Sequence, residues 1–114
     1  IKKILIEKES IMGGMSCDEV SLIPWEILKN STSHCVGISD DYIATTVKSL
    51  ANCEYSNEKI IGGECSTPGI ISLIGLCNDK IIKNDLNLTK SSNVLLFGCE
   101  GDADEELYQK LLNS

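Results

Sequence analysis

The residues with most capacity for chemistry lie in residues 93–104, NVLLFGCEGDAD. Val94, Leu95, Leu96 and Phe97 form an apolar run that ends at Gly98, with Cys99, Glu100, Gly101 and Asp102 directly after it. A short run of this kind suits a strand buried on both faces of a parallel sheet. Gly98 and Gly101 then permit a tight turn, and Asp102 or Asp104 can cap a following helix. In open α/β sheets, ligands collect outside the carboxyl ends of such strands. The N–H groups at a helix start favour anionic ligand groups. The plainer reading of a single glycine turn is an ordinary strand–turn–helix joint.

A second carboxylate invites the same attention. Glu64 sits in residues 63–69, GECSTPG, just before an apolar segment that Thr67 and Pro68 start well as a helix. Glu64 is either a solvated turn residue or the wall of a ligand pocket at that helix start. The two turns, 62–66 and 98–102, are expected to form one mouth.

Other chemistry finds little support. The six cysteines, Cys17, Cys35, Cys53, Cys65, Cys77 and Cys99, contain no CxxC pair and sit far apart among apolar residues. Zinc binding and a disulfide scaffold are both poorly supported, so reduced, mostly buried thiols and a cytoplasmic location are expected. His34 is the only histidine and has no local nucleophilic motif, which favours a structural role. A formal net charge of −7 argues against a nucleic-acid surface. No run reaches membrane-spanning length, and no secretory leader is recognised.

These groups need elements to hold them. Residues 2–6 read as a short strand or a tail, and residues 13–14, a Gly-Gly pair, as a tight turn or a close backbone approach. Ser21 opens a short helix over residues 24–30. Residues 35–38 are a second strand candidate. Ser39 caps the next helix, on which Ile43, Val47, Leu50 and Ala51 make one apolar stripe. The helix beginning at Pro68 is apolar on nearly all sides and should be buried. Residues 79–92 are a polar connection with a helical turn at 81–86. Leu107, Tyr108, Leu111 and Leu112 form the apolar face of the last helix. Strand and helix alternate, which gives an α/β class with a partial parallel sheet flanked by helices, over one unit, residues 1–114.

Three stretches in this order resemble one family: residues 10–28, containing SIMGGMSC and IPWEIL; residues 60–76, IIGGECSTPGIISLIGL; and residues 91–112, SSNVLLFGCEGDADEELYQKLL. They look like the C-terminal part of diaminopropionate ammonia-lyase, a pyridoxal-phosphate (PLP) enzyme of the tryptophan-synthase-like fold. The resemblance implies elimination of ammonia from 2,3-diaminopropionate to give pyruvate, with PLP as electron sink. It also implies that the Schiff-base lysine and the glycine-rich phosphate loop lie upstream, so that this chain holds no catalytic residue and supplies one wall of the cofactor pocket. The implied cofactor-facing positions are Glu64, Gly98, Cys99, Gly101 and Asp102. The implied partners are the amino-acid substrate, the remainder of the enzyme and a second copy in a homodimer. Gly98 stands where the family tends to show a serine that can bond the pyridine nitrogen, and Cys65, Ser66 and Thr67 depart from a GESGA-like pattern in which Glu64 is kept. Two further readings stay open: a diverged, non-catalytic binding or oligomerisation module, and a small α/β domain that binds phosphate at residues 98–102.

Overall fold

A computed structural model describes residues 3–114; Ile1 and Lys2, and with them the start of the strand or tail expected at 2–6, lie outside the described residues. Five α-helices follow in chain order: α1 (Leu22–Ser31), α2 (Ile43–Ala51), α3 (Pro68–Asn78), α4 (Lys80–Asp85) and α5 (Glu105–Asn113). Three single-turn 3-10 helices, Gly13–Met15, Asp40–Tyr42 and Glu64–Ser66, punctuate the connections.

The centre of the molecule is α2, which packs against both α3 and α5. Its apolar stripe falls on one face, as the spacing predicts: Ile43 and Val47 are fully buried and Leu50 nearly so. Ser39 caps the 3-10 turn that leads into it, accepting a hydrogen bond from the Asp41 N–H. From α5, Tyr108 and Leu111 meet this face, and Met12 and Cys65 close the cluster. Asp104 fixes the start of α5 by accepting from the Leu107 N–H at 2.9 Å. Asp79 caps α4 in the same way, accepting from Ile81 at 2.9 Å and Ile82 at 3.1 Å.

The expected α/β sheet is not formed. No strand occurs among the described residues, so the partial parallel sheet flanked by helices is replaced by an all-helical arrangement with irregular connections. Residues 35–38 and 94–97 have strand composition, yet neither makes a backbone hydrogen bond among the described residues. An α-helix closes its hydrogen bonds within one segment, whereas a strand exists only by pairing with a neighbour. Apolar composition alone therefore cannot make a strand where no partner lies alongside.

Two further expectations are corrected. No residue of α3 is fully buried: its first two turns are half-buried and Ile74 is exposed, because neighbours cover only one side of it. The six cysteines are all free, but only Cys65 is buried.

Among the described residues, one buried side-chain group is unsatisfied. Tyr108 is buried and its hydroxyl has no hydrogen-bond partner. Burying a hydroxyl without a partner is unfavourable. Tyr108→Phe keeps the ring and removes the orphan, so thermal unfolding of that variant is expected to shift upward, by about 1 kcal/mol of stability.

Candidate functional site

The site is built from three connections rather than from strand ends. The first is the 3-10 turn Glu64–Ser66, held between Gly63 and the start of α3. Thr67 is fully buried, and its hydroxyl donates back to the Glu64 carbonyl at 2.8 Å. That bond ties Glu64 to the first residues of α3. Pro68 then enters the helix at a position where no N–H is needed.

The second connection is the turn after Phe97. The Gly63 N–H donates to the Glu100 carbonyl at 3.2 Å. The Ser66 hydroxyl donates to that same carbonyl and accepts from the Glu100 N–H at 3.0 Å. The Cys65 N–H reaches the Glu100 carboxylate at 3.4 Å. Ser66 therefore satisfies both backbone groups of Glu100, and the two turns meet as one unit.

Gly63 is needed here for approach, not for its dihedrals. Its φ of −71° and ψ of −174° are open to any residue. A Cβ at Gly63, however, would stand 2.3 Å from the Gly101 carbonyl oxygen.

The third connection is the Gly13–Met15 turn, which packs beside Glu64–Ser66. A Cβ at Gly14 would lie 3.5 Å from the Cys65 sulfur. Asp40 holds this segment from outside: its carboxylate accepts from the Ser10 hydroxyl at 2.7 Å and from the Ile11 N–H at 2.9 Å. Those two bonds lower the Asp40 pKa below the ordinary carboxylate value.

Electrostatically the site is acidic. Glu64 is only 8% exposed, and its carboxylate lies 4.0 Å from the Cys65 sulfur. Donor atoms of Glu64, Cys65 and Glu100 all fall within 4.8 Å of one another. Burial first, then the hydrogen bond and charge of Glu100 and the charge of Glu64, push the Cys65 thiol up to about 11. Cys65 is thus a protonated, unreactive thiol at neutral pH. The sign for stability follows. A thiol whose folded pKa lies above its free value stabilises the fold below that value, and this contribution is lost as pH rises through about 11. In timed alkylation of the native chain at pH 8, Cys65 is expected to label far more slowly than the five exposed cysteines, as read by mass spectrometry.

The residues singled out from the sequence fall into two groups. Glu64 is buried at the junction, and Gly98 lies over Ser66, where a Cβ would sit 3.5 Å from the Ser66 side chain. Cys99, Gly101 and Asp102 are exposed, and a Cβ at Gly101 would meet nothing within 4 Å. The residues that join the turns, Ser66 and Glu100, were not among those candidates. The available signal was Glu100 itself, a charge placed directly after an apolar run and two small residues. His34 is exposed and lies in a chain of hydrogen bonds, with Nδ1 3.0 Å from the Ser33 hydroxyl and Nε2 2.9 Å from the Asp85 carboxylate. An exposed pair of that kind contributes little to stability.

The chain is similar to curated relatives of one description. It is 30% identical to diaminopropionate ammonia-lyase from Salmonella typhimurium, over 90% of this chain and 26% of the relative. It is 28% identical to diaminopropionate ammonia-lyase from Escherichia coli strain K12, over 90% of this chain and 27% of the relative. The chain thus spans about a quarter of the length of the curated relatives it matches. No protein-family profile matches it, and no solved structure matches it. Among the described residues, no helix is long and apolar enough to cross a membrane.

Proposed function

We propose that this chain is one part of a PLP-dependent lyase that removes ammonia from 2,3-diaminopropionate, and that the joined turns 62–66 and 98–102 form one wall of its cofactor pocket. The observation that carries this reading is the convergence of the three family-like stretches. Gly14 abuts Cys65, and Gly63 and Ser66 clasp Glu100, although these residues lie tens of positions apart in sequence. The similarity to diaminopropionate ammonia-lyases over most of the chain supports it.

The residues at the junction suit the pyridine side of the cofactor. The buried Glu64 carboxylate accepts a hydrogen bond or opposes a positive charge, and Gly98 leaves an open surface beside Ser66. When bound, PLP supplies the electron sink for the substrate carbanion. This chain's share of the work is mechanical and electrostatic. Ser66 and Gly63 hold Glu100 and, through it, the backbone on which Gly98 lies. Thr67 holds Glu64, and the acidic junction orients cationic groups of cofactor or substrate. Among the described residues no lysine is bonded to the junction; the resemblance implies that the covalent anchor for PLP lies upstream of this stretch in the complete enzyme.

The test is a chimera in which this chain replaces the matching stretch of the Salmonella typhimurium relative. The chimera is expected to retain the visible absorption of bound PLP, whereas this chain alone with PLP shows no stoichiometric band and no pyruvate formation. Gly98→Ser in the chimera places a hydroxyl beside Ser66. One added hydrogen bond is worth about 0.5–1.5 kcal/mol, so PLP affinity should rise by up to about tenfold. A folded chimera that holds no PLP would remove the cofactor-wall reading.

A further inference from the structure

Three side chains able to ligate a metal converge where the two turns meet. Glu64 and Cys65 come from the 3-10 turn, and Glu100 lies 35 residues beyond Cys65 in the chain. Their donor atoms all fall within 4.8 Å of one another. Acidic clusters on a surface are solvated and need no ion, but this one is different. Glu64 is more than nine-tenths buried, and among the described residues no N–H, hydroxyl or cationic group bonds its carboxylate. Its one polar contact is the Cys65 thiol, at 4.0 Å. The ion pairs found among the described residues, Lys3–Asp18, Lys29–Glu26 and His34–Asp85, all lie elsewhere. A buried carboxylate without a counter-charge is unfavourable. Cys65 is buried beside it, whereas the other five cysteines are exposed. Thr67 holds the Glu64 carbonyl and Ser66 holds both backbone groups of Glu100, so the bases of both glutamates are fixed before any ion arrives.

We propose that Glu64, Cys65 and Glu100 form a binding site for one divalent cation of the zinc class, held through one sulfur and two carboxylates. The sulfur selects the ion. Magnesium and calcium take oxygen ligands, and an organic cation would use the carboxylates and leave the sulfur idle. Zinc accepts thiolate and carboxylate together, and three protein ligands leave its fourth position open. Zinc–sulfur and zinc–oxygen bonds of about 2.3 and 2.1 Å put tetrahedral ligand atoms roughly 3.5 Å apart, so rotation of the side chains by about 1 Å completes the site. Binding forms a metal–sulfur bond and sends the Cys65 proton to solvent, with no electron transferred. The site does not rest on the cofactor reading, since it needs only residues of this chain.

The test is a Co2+ titration of the whole chain without PLP, after its five exposed cysteines have been blocked by alkylation. A parallel variant with Cys17, Cys35, Cys53, Cys77 and Cys99 each changed to serine reaches the same state by another route. One equivalent of Co2+ is expected to give the near-ultraviolet sulfur-to-cobalt band, which Zn2+ bleaches and Mg2+ does not. Cys65→Ser should abolish the band. Glu64→Gln and Glu100→Gln keep the side-chain shape and should each weaken Co2+ binding by at least about tenfold, since even groups behind a metal's ligands change affinity by that much. Circular dichroism checks that each variant is folded, and the two glutamine variants carry the test if Cys65→Ser is not. Absence of the band, a band that survives Cys65→Ser, indifference to both glutamine variants, or displacement by Mg2+ overturns the proposal. The two readings fail separately. A chain that takes no Co2+ leaves the cofactor wall standing, and a chimera without PLP leaves the metal site standing.

Discussion

Gly63→Ala is expected to separate the two turns of the site while leaving the helices in place. The added Cβ would stand 2.3 Å from the Gly101 carbonyl oxygen, and that neighbour is backbone, which cannot swing away as the end of a side chain can. Either the Glu64–Ser66 turn or residues 98–102 must therefore move. Forcing extra atoms into a packed contact costs about 1–3 kcal/mol, and here it also endangers the 3.2 Å bond from the Gly63 N–H to Glu100. The effect should appear in chemical denaturation and in amide exchange of Cys65 and Glu100, whose N–H groups are bonded across the junction. Gly101→Ala is the matched control. It sits in the same contact, yet its own Cβ would meet nothing within 4 Å, and no glycine has positive φ. Equal stability changes for the two variants would show that close approach is not why glycine stands at position 63.

The contrast between these two glycines shows what was legible in the sequence. That turns 62–66 and 98–102 belong together is expected at the carboxyl ends of sheet strands; the sheet is not formed, and the bonds from Gly63 and Ser66 to Glu100 join the turns without it. Which residues do the joining was not legible, since Ser66 acts through backbone groups that have no sequence signature. The helices were legible where apolar spacing and caps agree, as at Ser39, Ile43 and Val47 before and along α2, and at Asp104 before α5. The sheet was misread because residues 94–97 carry strand composition but no pairing. Two helix ends fall close to where the sequence reading puts them, after Ala51 and near residue 86, but the residues that close them carry no glycine signal. Cys53 and Asn87 take the left-handed conformation after α2 and α4, with φ of 62° and 52°. The Glu54 and Leu88 N–H groups then close Schellman bonds to the Ser49 and Lys83 carbonyls. Glycine usually marks such a stop, and neither position has one.

The largest single loss of stability is expected from Ile43→Ala. Ile43 is fully buried at the start of α2, on the face that receives Tyr108 and Leu111 from α5 and that Met12 and Cys65 close. Removing its outer carbons takes away transfer energy and leaves a cavity that stiff neighbours cannot fill, typically about 2–5 kcal/mol for such a change. The core here is small, so that loss is a large share of what holds the chain folded. The same face also supports the site. Leu50, two turns further along α2, lies 3.3 Å from where a Gly62 Cβ would be, and its carbonyl accepts the Ile60 N–H at 3.1 Å. Ile43→Ala should therefore lower the melting temperature by roughly 8 °C or more. It should also speed Cys65 alkylation in the same preparation, because the cluster that buries Cys65 is the one opened. Ile43→Val, which keeps most of the volume, should cost about 0.5–1.5 kcal/mol and leave Cys65 slow to react. A melting shift for Ile43→Ala no larger than that for Ile43→Val would mean that α2 is not the central helix of this fold.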